Sequence, residues 1–213
     1  MAAGKGISIR ERTKFKKSNF AKWYESNSKN FLIFLIIIGA ILLIIQSKFA
    51  SGGSYFTALN DTKIIWFFAI PLIMLILLDN KSAYIILGGF YLALCAITLV
   101  TNYIPKPFAT MFITTGLWLI VDYANLMRHN KSVLRAIIEN YNWFLSVLFT
   151  GVILATLIEL INAPAKLWWY FEPFPSLKIF HVTPLTFVIG WLPWVLNMIA
   201  VIFYFIGFNE VKR

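Results

Sequence analysis

Glu159 and the residues that follow it form the part of this sequence best suited to chemistry. Glu159 lies near the end of an apolar stretch, and Asn162 follows it one helical turn later. The next segment contains Trp168, Tyr170 and His181. If that segment folds back over the helix ends, aromatic rings would wall the carboxyl and remove its water, so that Glu159 can act as a general acid. The alternative is a carboxylate that reaches out to water at the outer interface.

Asp122 is the clearest ionisable residue inside a predicted membrane span. Such residues are functional candidates by default, because a polar group deep in a bilayer is costly. Counting about 1.5 Å per residue places Asp122 roughly 21 Å from Phe108 at the outer end of its span. Asn197 reaches a similar depth on the last span, which predicts a carboxyl-to-amide hydrogen bond between Asp122 and Asn197, made directly or through one water. That bond is either purely structural or part of a pathway for protons or ions.

The sequence therefore offers two candidate catalytic residues, Glu159 and Asp122. Five further polar or aromatic residues are candidates for substrate binding: Trp168, Tyr170, His181, Asn162 and Asn197. No metal site is predicted, because His181 is the single histidine on its side of the membrane. No cofactor is predicted either, since the sequence lacks a Gly-rich phosphate loop, a His-Glu-x-x-His pattern and a G-x-S-x-G elbow.

The composition places these residues in a bilayer. The chain of 213 residues is 60% hydrophobic and only 13% charged, whereas soluble domains are about one-quarter charged. Long apolar runs can satisfy their backbone in lipid as helices. We predict an all-α integral membrane bundle of six transmembrane helices, at residues 31–45, 64–78, 82–104, 108–127, 143–162 and 183–208.

Charge distribution predicts the domain organisation and the orientation of the bundle. Residues 1–30 form a basic cytoplasmic juxtamembrane segment, either an amphipathic helix on anionic lipid headgroups or a disordered tail, and residues 31–213 form the transmembrane domain. Lys and Arg concentrate in this tail, in the second and fourth loops and at the C-terminus, so both termini of this multi-pass cell-membrane protein should be cytoplasmic. The net charge of +10 therefore reflects orientation, and no nucleic-acid partner is predicted.

The second half of the sequence resembles a family of small bacterial and archaeal polytopic membrane proteins of no assigned activity. That family has the pattern W-E-x-x-N, then N/K-W-x-Y, then P-L-x-x-x-x-G-x-x-P, with an upstream D-x-x-x-x-x-x-x-x-x-S-L. The matching residues here are Asp122, Ser132, Glu159, Asn162, Lys166, Trp168, Tyr170, Pro184, Gly190 and Pro193. The chain departs from the pattern at Ile158, where the family has Trp, and at Asn197, where it often has a second carboxylate.

More distantly, the order of acid, Trp-x-Tyr and proline resembles the membrane-bound lycopene cyclases and carotenoid hydratases. Those enzymes protonate a double bond of a polyisoprenoid inside the bilayer. This resemblance implies an enzyme acting on a lipid or isoprenoid substrate within the membrane. The alternative is a non-enzymatic subunit of a membrane complex, or a small transporter, whose buried polar residues hold helices together and whose partner is another membrane protein or a second copy of the chain.

Overall fold

The computed structural model of the chain describes residues 18–49, 63–101, 108–165 and 184–207. These ranges contain seven helices and no strand. In chain order the helices are α1 (Asn19–Phe49), α2 (Lys63–Leu78), α3 (Lys81–Val100), α4 (Phe108–His129), α5 (Val133–Glu139), α6 (Tyr141–Ala165) and α7 (Pro184–Ile206). The predicted all-α class is confirmed for this part of the chain. Six of these helices overlap the six predicted spans, and α5 was not predicted.

Three helical stretches are both long and apolar enough to cross a membrane: Asn19–Leu42, Lys81–Val100 and Tyr141–Ile158. Two shorter apolar stretches, Phe68–Leu78 and Leu192–Ile206, lie in α2 and α7. α4 is 22 residues long, but its polar and charged residues lower its apolar character. The structure therefore supports a membrane protein and has three candidate spans within the described residues.

α4 is the central helix of the bundle. It packs most extensively against α3 and next most extensively against α7. The contact with α3 is close, because a Cβ added at Gly88 would lie 3.1 Å from the carbonyl oxygen of Gly116, and one at Gly116 would lie 3.0 Å from that of Gly88. The same test at Gly89 finds nothing within 4 Å. Of these two adjacent glycines, Gly88 is therefore the one that allows α3 and α4 to approach closely.

α1 reaches from the predicted juxtamembrane segment into the predicted first span without a break. Its first turns are held by Tyr24, which is fully buried and donates a hydrogen bond to the carbonyl of Ile137 at 2.9 Å. The Tyr24 ring also stacks on Phe144, with centroids 5.1 Å apart. Residues 19–30 are therefore part of a helix that packs on the bundle, while residues 1–17 lie outside the described ranges.

The described turns at residues 79–80 and 130–132 lie at one end of the bundle, here called the polar end. Arg135 Nε donates to Asp79 Oδ1 at 3.0 Å, and Lys29 Nζ lies 3.8 Å from Asp79 Oδ2. Lys81 Nζ donates to Asn130 Oδ1 at 3.0 Å. Asp79 and Asn130 have φ angles of 46° and 54°, the left-handed region that Asp and Asn tolerate in turns. The first helix and the second and fourth predicted loops thus share one end of the molecule.

Candidate functional site

Asp122 is completely buried in α4 and accepts three hydrogen bonds. Its Oδ1 accepts from the backbone N–H of Val133 at 2.9 Å, and its Oδ2 accepts from that of Leu134 at 3.1 Å. Oδ2 also accepts from the indole N–H of Trp118 at 3.2 Å. Hydrogen bonds to a carboxylate are stronger than those between neutral groups. The carboxyl of Asp122 is therefore a hub that joins the middle of α4 to the start of α5.

The local sequence explains why α5 begins where it does. Ser132 has extended backbone angles and its side chain accepts from the N–H of Arg135 at 3.1 Å, which is an N-cap. A helix leaves its first N–H groups without partners inside the helix. Ser132 satisfies the third of these groups, and Asp122 satisfies the first two, on Val133 and Leu134. The first turn of α5 is thus capped partly from within and partly by a different helix.

The cap is tied to α3 as well. The hydroxyl of Tyr84, a fully buried residue, lies 3.3 Å from the hydroxyl of Ser132. α3 itself begins at an N-cap, since Asn80 Oδ1 accepts from the N–H of Ser82 at 3.0 Å. The hydrogen bonds around Asp122 therefore connect α3, α4 and α5.

α7 packs against α4, and the two helices run parallel. The side-chain amide of Asn125 donates to the carbonyl of Ala200 at 2.9 Å, and His129 Nε2 lies 3.2 Å from the carbonyl oxygen of Tyr204. Both contacts join residues 75 positions apart. Because Asp122 precedes Asn125 by one turn, it lies at the level of Asn197, as the sequence predicted.

The structure shows no direct hydrogen bond between Asp122 and Asn197, although α4 and α7 are neighbours as predicted. The predicted link through one water stays a prediction. The carboxylate of Asp122 accepts its three hydrogen bonds from Trp118 and α5, and Asn197 Oδ1 is buried without a hydrogen-bond partner in the part of the chain that the structure describes. The physical reason is that the backbone N–H groups of α5 were available to the carboxylate. Two more buried oxygens in α4, Thr115 Oγ1 and Asn125 Oδ1, also lack partners among the described residues.

The side chains of the other five predicted site residues lie outside the described part of the structure. Glu159 and Asn162 belong to α6, but only their backbone is described. Trp168, Tyr170 and His181 lie outside the described residues altogether. Of the seven candidates, only Asp122 and Asn197 are described in full. The site formed around Glu159 remains a prediction.

Sequence reasoning missed two residues of the Asp122 cluster. Trp118 and Asn125 precede and follow Asp122 by four and three residues, so all three lie on one side of α4. That spacing was available as a signal. The contact with residues 133 and 134 was less visible, although the Asp-to-Ser spacing of the family pattern links the same two segments, because Ser132 immediately precedes Val133.

The cluster has the chemistry of a structural hub. Three donors face the carboxylate of Asp122, and neither of its oxygens is left without a partner. No group of three His, Cys, Asp or Glu side chains suited to a metal lies in the described ranges. Comparisons of the chain with protein-family models, with curated proteins and with solved structures found no match. The suspected polytopic family thus rests on the residues quoted from the sequence.

Proposed function

We propose that this chain is a six-span membrane protein that serves as a non-enzymatic subunit of a membrane assembly, with Asp122 as an internal lock between helices. The observation that carries the proposal is that the carboxylate of Asp122 accepts hydrogen bonds from the indole of Trp118 and from the first two backbone N–H groups of α5. A carboxyl that protonates a substrate must reach that substrate. Asp122 instead uses its acceptor sites to hold α5 and Trp118 in place.

Replacing Asp122 by Asn tests the lock directly. The variant keeps the size of the side chain but turns one acceptor oxygen into an NH₂ group that faces an N–H donor. Leaving a buried donor unsatisfied costs about 1–3 kcal/mol, which lowers the unfolding temperature by roughly 5 °C in a chain of this size. Unfolding can be followed in detergent with a thiol-reactive dye, because Cys95 is the only cysteine and is buried.

Asp79→Asn is the matched control for that variant. It makes the same chemical change at an exposed carboxylate whose ion pairs are with Arg135 and Lys29. Surface ion pairs contribute at most about 1 kcal/mol, so this variant should unfold close to the wild-type temperature. If Asp122→Asn were as stable as Asp79→Asn, the lock would not exist and a chemical role for Asp122 would be favoured.

The proposed topology places the polar end in the cytoplasm, together with both termini. It is supported by the clustering of Lys29, Lys81 and Arg135 at that end, since basic residues concentrate on the cytoplasmic side. Single cysteines at Ser54 and at Glu139, each combined with Cys95→Ala, test it. An impermeant thiol reagent should label position 54 from outside intact cells and position 139 only after permeabilisation. The reverse labelling would contradict the topology.

A second candidate function is an enzyme that acts on a lipid or isoprenoid, with Glu159 as the general acid. It is supported by the sequence pattern Glu159, Asn162, Trp168 and Tyr170, which resembles the lycopene cyclase and hydratase group. Comparing the lipid extracts of four strains tests this function. One strain lacks the gene, and the other three are the same strain complemented by wild type, by Glu159→Gln or by the control Glu139→Gln. An enzyme predicts a lipid difference that wild type and the control restore and Glu159→Gln does not. Equal lipid profiles in all four extracts would favour the structural subunit.

A further inference from the structure

A shallow groove lies at the polar end, on the side of α4 away from Asp122. It is lined by Tyr123, Ala124, Met127 and Arg128 of α4 and by Tyr204 of α7, and its volume is about 590 Å³. Successive residues of a helix point about 100° apart, so Ala124 faces roughly opposite to Asp122. The groove is therefore separate from the hydrogen-bonded cluster, and its wide opening faces the surroundings of the bundle.

The groove combines an apolar floor with a positive charge at one end. Met127 is 63% exposed, and Tyr123 and Ala124 continue its surface toward the middle of α4. Arg128 occupies the last turn of α4, with its guanidinium carbon 5.0 Å from the centre of the Tyr204 ring. A cation over an aromatic face is attracted to it, so Tyr204 holds the guanidinium above the groove.

Among the described residues, Arg128 differs from Arg135, which lies at the same end, in its ionic partners. Arg135 pairs with Asp79, which also has Lys29 within 3.8 Å. No ion pair joins Arg128 to a carboxylate of the described residues. Guanidinium groups bind phosphate through two parallel hydrogen bonds. Arg128 is thus the candidate in this groove to bind an anion from outside the protein.

We propose that this groove binds one anionic phospholipid, with its phosphate on Arg128 and an acyl chain along Tyr123, Ala124 and Met127. The proposal rests on the proposed membrane location, in which the polar end lies in the cytoplasmic leaflet. Anionic lipids are enriched in that leaflet, and basic residues near its surface attract them. The shape and the charge select an anionic amphiphile. The mostly apolar floor suits an acyl chain better than a soluble phosphate, and Arg128 favours a headgroup with a net negative charge over a zwitterionic one, whose own cation offsets its phosphate.

Native mass spectrometry of the purified full-length protein, titrated with phosphatidylglycerol or phosphatidylcholine in detergent, tests the proposal. The wild type should bind one phosphatidylglycerol in preference to phosphatidylcholine. Arg128→Gln should weaken binding of phosphatidylglycerol about five-fold, the effect of one basic residue near an anionic membrane surface. Ala124→Trp should weaken binding of both lipids, because the ring fills the floor of the groove.

Lys81→Gln is the matched control, because Lys81 is an exposed cation at the same end that contacts Asn130 and does not line the groove. It should bind phosphatidylglycerol as the wild type does. Equal weakening by Lys81→Gln and Arg128→Gln would replace the site with a diffuse charge effect and overturn the proposal. Unchanged binding in Arg128→Gln would overturn it as well.

Two further outcomes separate this proposal from its rivals. If the C-terminal residues 208–213 occupy the groove, a chain ending at Gly207 should bind phosphatidylglycerol several-fold more tightly than the wild type, which would overturn lipid as the native occupant. If the protein is not a membrane protein, it should purify without detergent and bind neither lipid. That result would contradict the proposed function itself. Phosphatidylglycerol binding that is unchanged in Arg128→Gln would contradict only the proposed lipid site in the groove.

Discussion

α4 and α6 have similar lengths, 22 and 25 residues, but occupy opposite positions in the bundle. α4 lies between α3 and α7 and buries Phe112, Trp118, Asp122 and Asn125. In α6, only 11% of the residues in Tyr141–Ile158 are buried inside the protein. The more polar helix is therefore the more buried one, the reverse of the rule for soluble proteins.

The difference shows what selects a central helix in a bilayer. Lipid tails are as apolar as leucine, so apolar surface alone does not drive one helix against another. Small residues that allow close approach, and polar groups that need partners, provide the interactions instead. α4 has both in Gly116 and Asp122. α6 presents Phe149, Ile153 and Leu157, all exposed, which lipid can cover without loss.

Truncating one phenylalanine in each helix should give the largest contrast. Phe112 is 1% exposed and stacks on Phe68 with centroids 4.9 Å apart, so Phe112→Ala should leave a cavity and cost about 3 kcal/mol. Phe149 is 60% exposed, and Phe149→Ala should change the unfolding temperature little. Dye labelling of Cys95 during heating measures both. Equal losses would mean that α6 is buried by a neighbour in the purified protein.

A methyl group added at the α3–α4 contact should have the next largest effect. In Gly88→Ala, the new Cβ would lie 3.1 Å from the carbonyl oxygen of Gly116 and 3.3 Å from the backbone nitrogen of Ile120. Backbone atoms cannot move aside as a side chain can, so overpacking should cost about 1–3 kcal/mol. Gly89→Ala is the control, because the space there is open, and it should be neutral or slightly stabilising. A loss in Gly89→Ala equal to that in Gly88→Ala would contradict the close approach.

The corresponding change in α6 should have the smallest effect and the opposite sign. A Cβ at Gly151 would meet the side chain of Val195 at 3.6 Å, an ordinary van der Waals distance. Gly151→Ala therefore keeps the α6–α7 contact and gains helix propensity, which should stabilise the protein by about 0.5–1 kcal/mol. A lower unfolding temperature for Gly151→Ala, measured in the same assay, would show that α6 packs as tightly as α4.

Sequence reasoning located helices better than it located their contacts. The predicted span at 64–78 differs from α2 by one residue, and that at 108–127 differs from α4 by two at its end. α5 was missed because a helix of seven residues has no apolar period long enough to detect. The predicted last span contains Pro193, and α7 continues through it. Proline is tolerated inside a membrane helix when neighbouring groups satisfy the backbone carbonyl that proline leaves without a donor.

The Asp122 site was predicted in part. Its depth and its need for a partner followed from one carboxylate among apolar residues, and its level with Asn197 followed from counting along two helices. The identity of the partner did not follow. A carboxylate accepts from any donor within reach, and the N–H groups of Val133 and Leu134 come within reach only because Asn130 turns the chain back toward α4.

The sequence by itself determined the membrane class, the approximate positions of the helices and the grouping of the basic turns at one end. These features depend on the hydropathy and charge of consecutive residues, which need no knowledge of tertiary contacts. The tertiary structure decided which side of each helix meets a neighbour. Adjacent residues on a helix differ by about 100° in direction, so Gly88 contacts α4 while Gly89 faces open space. For the same reason, Asp122 turns toward α5 and Ala124 toward the groove. These choices depend on the rotation of each helix about its axis, which packing sets.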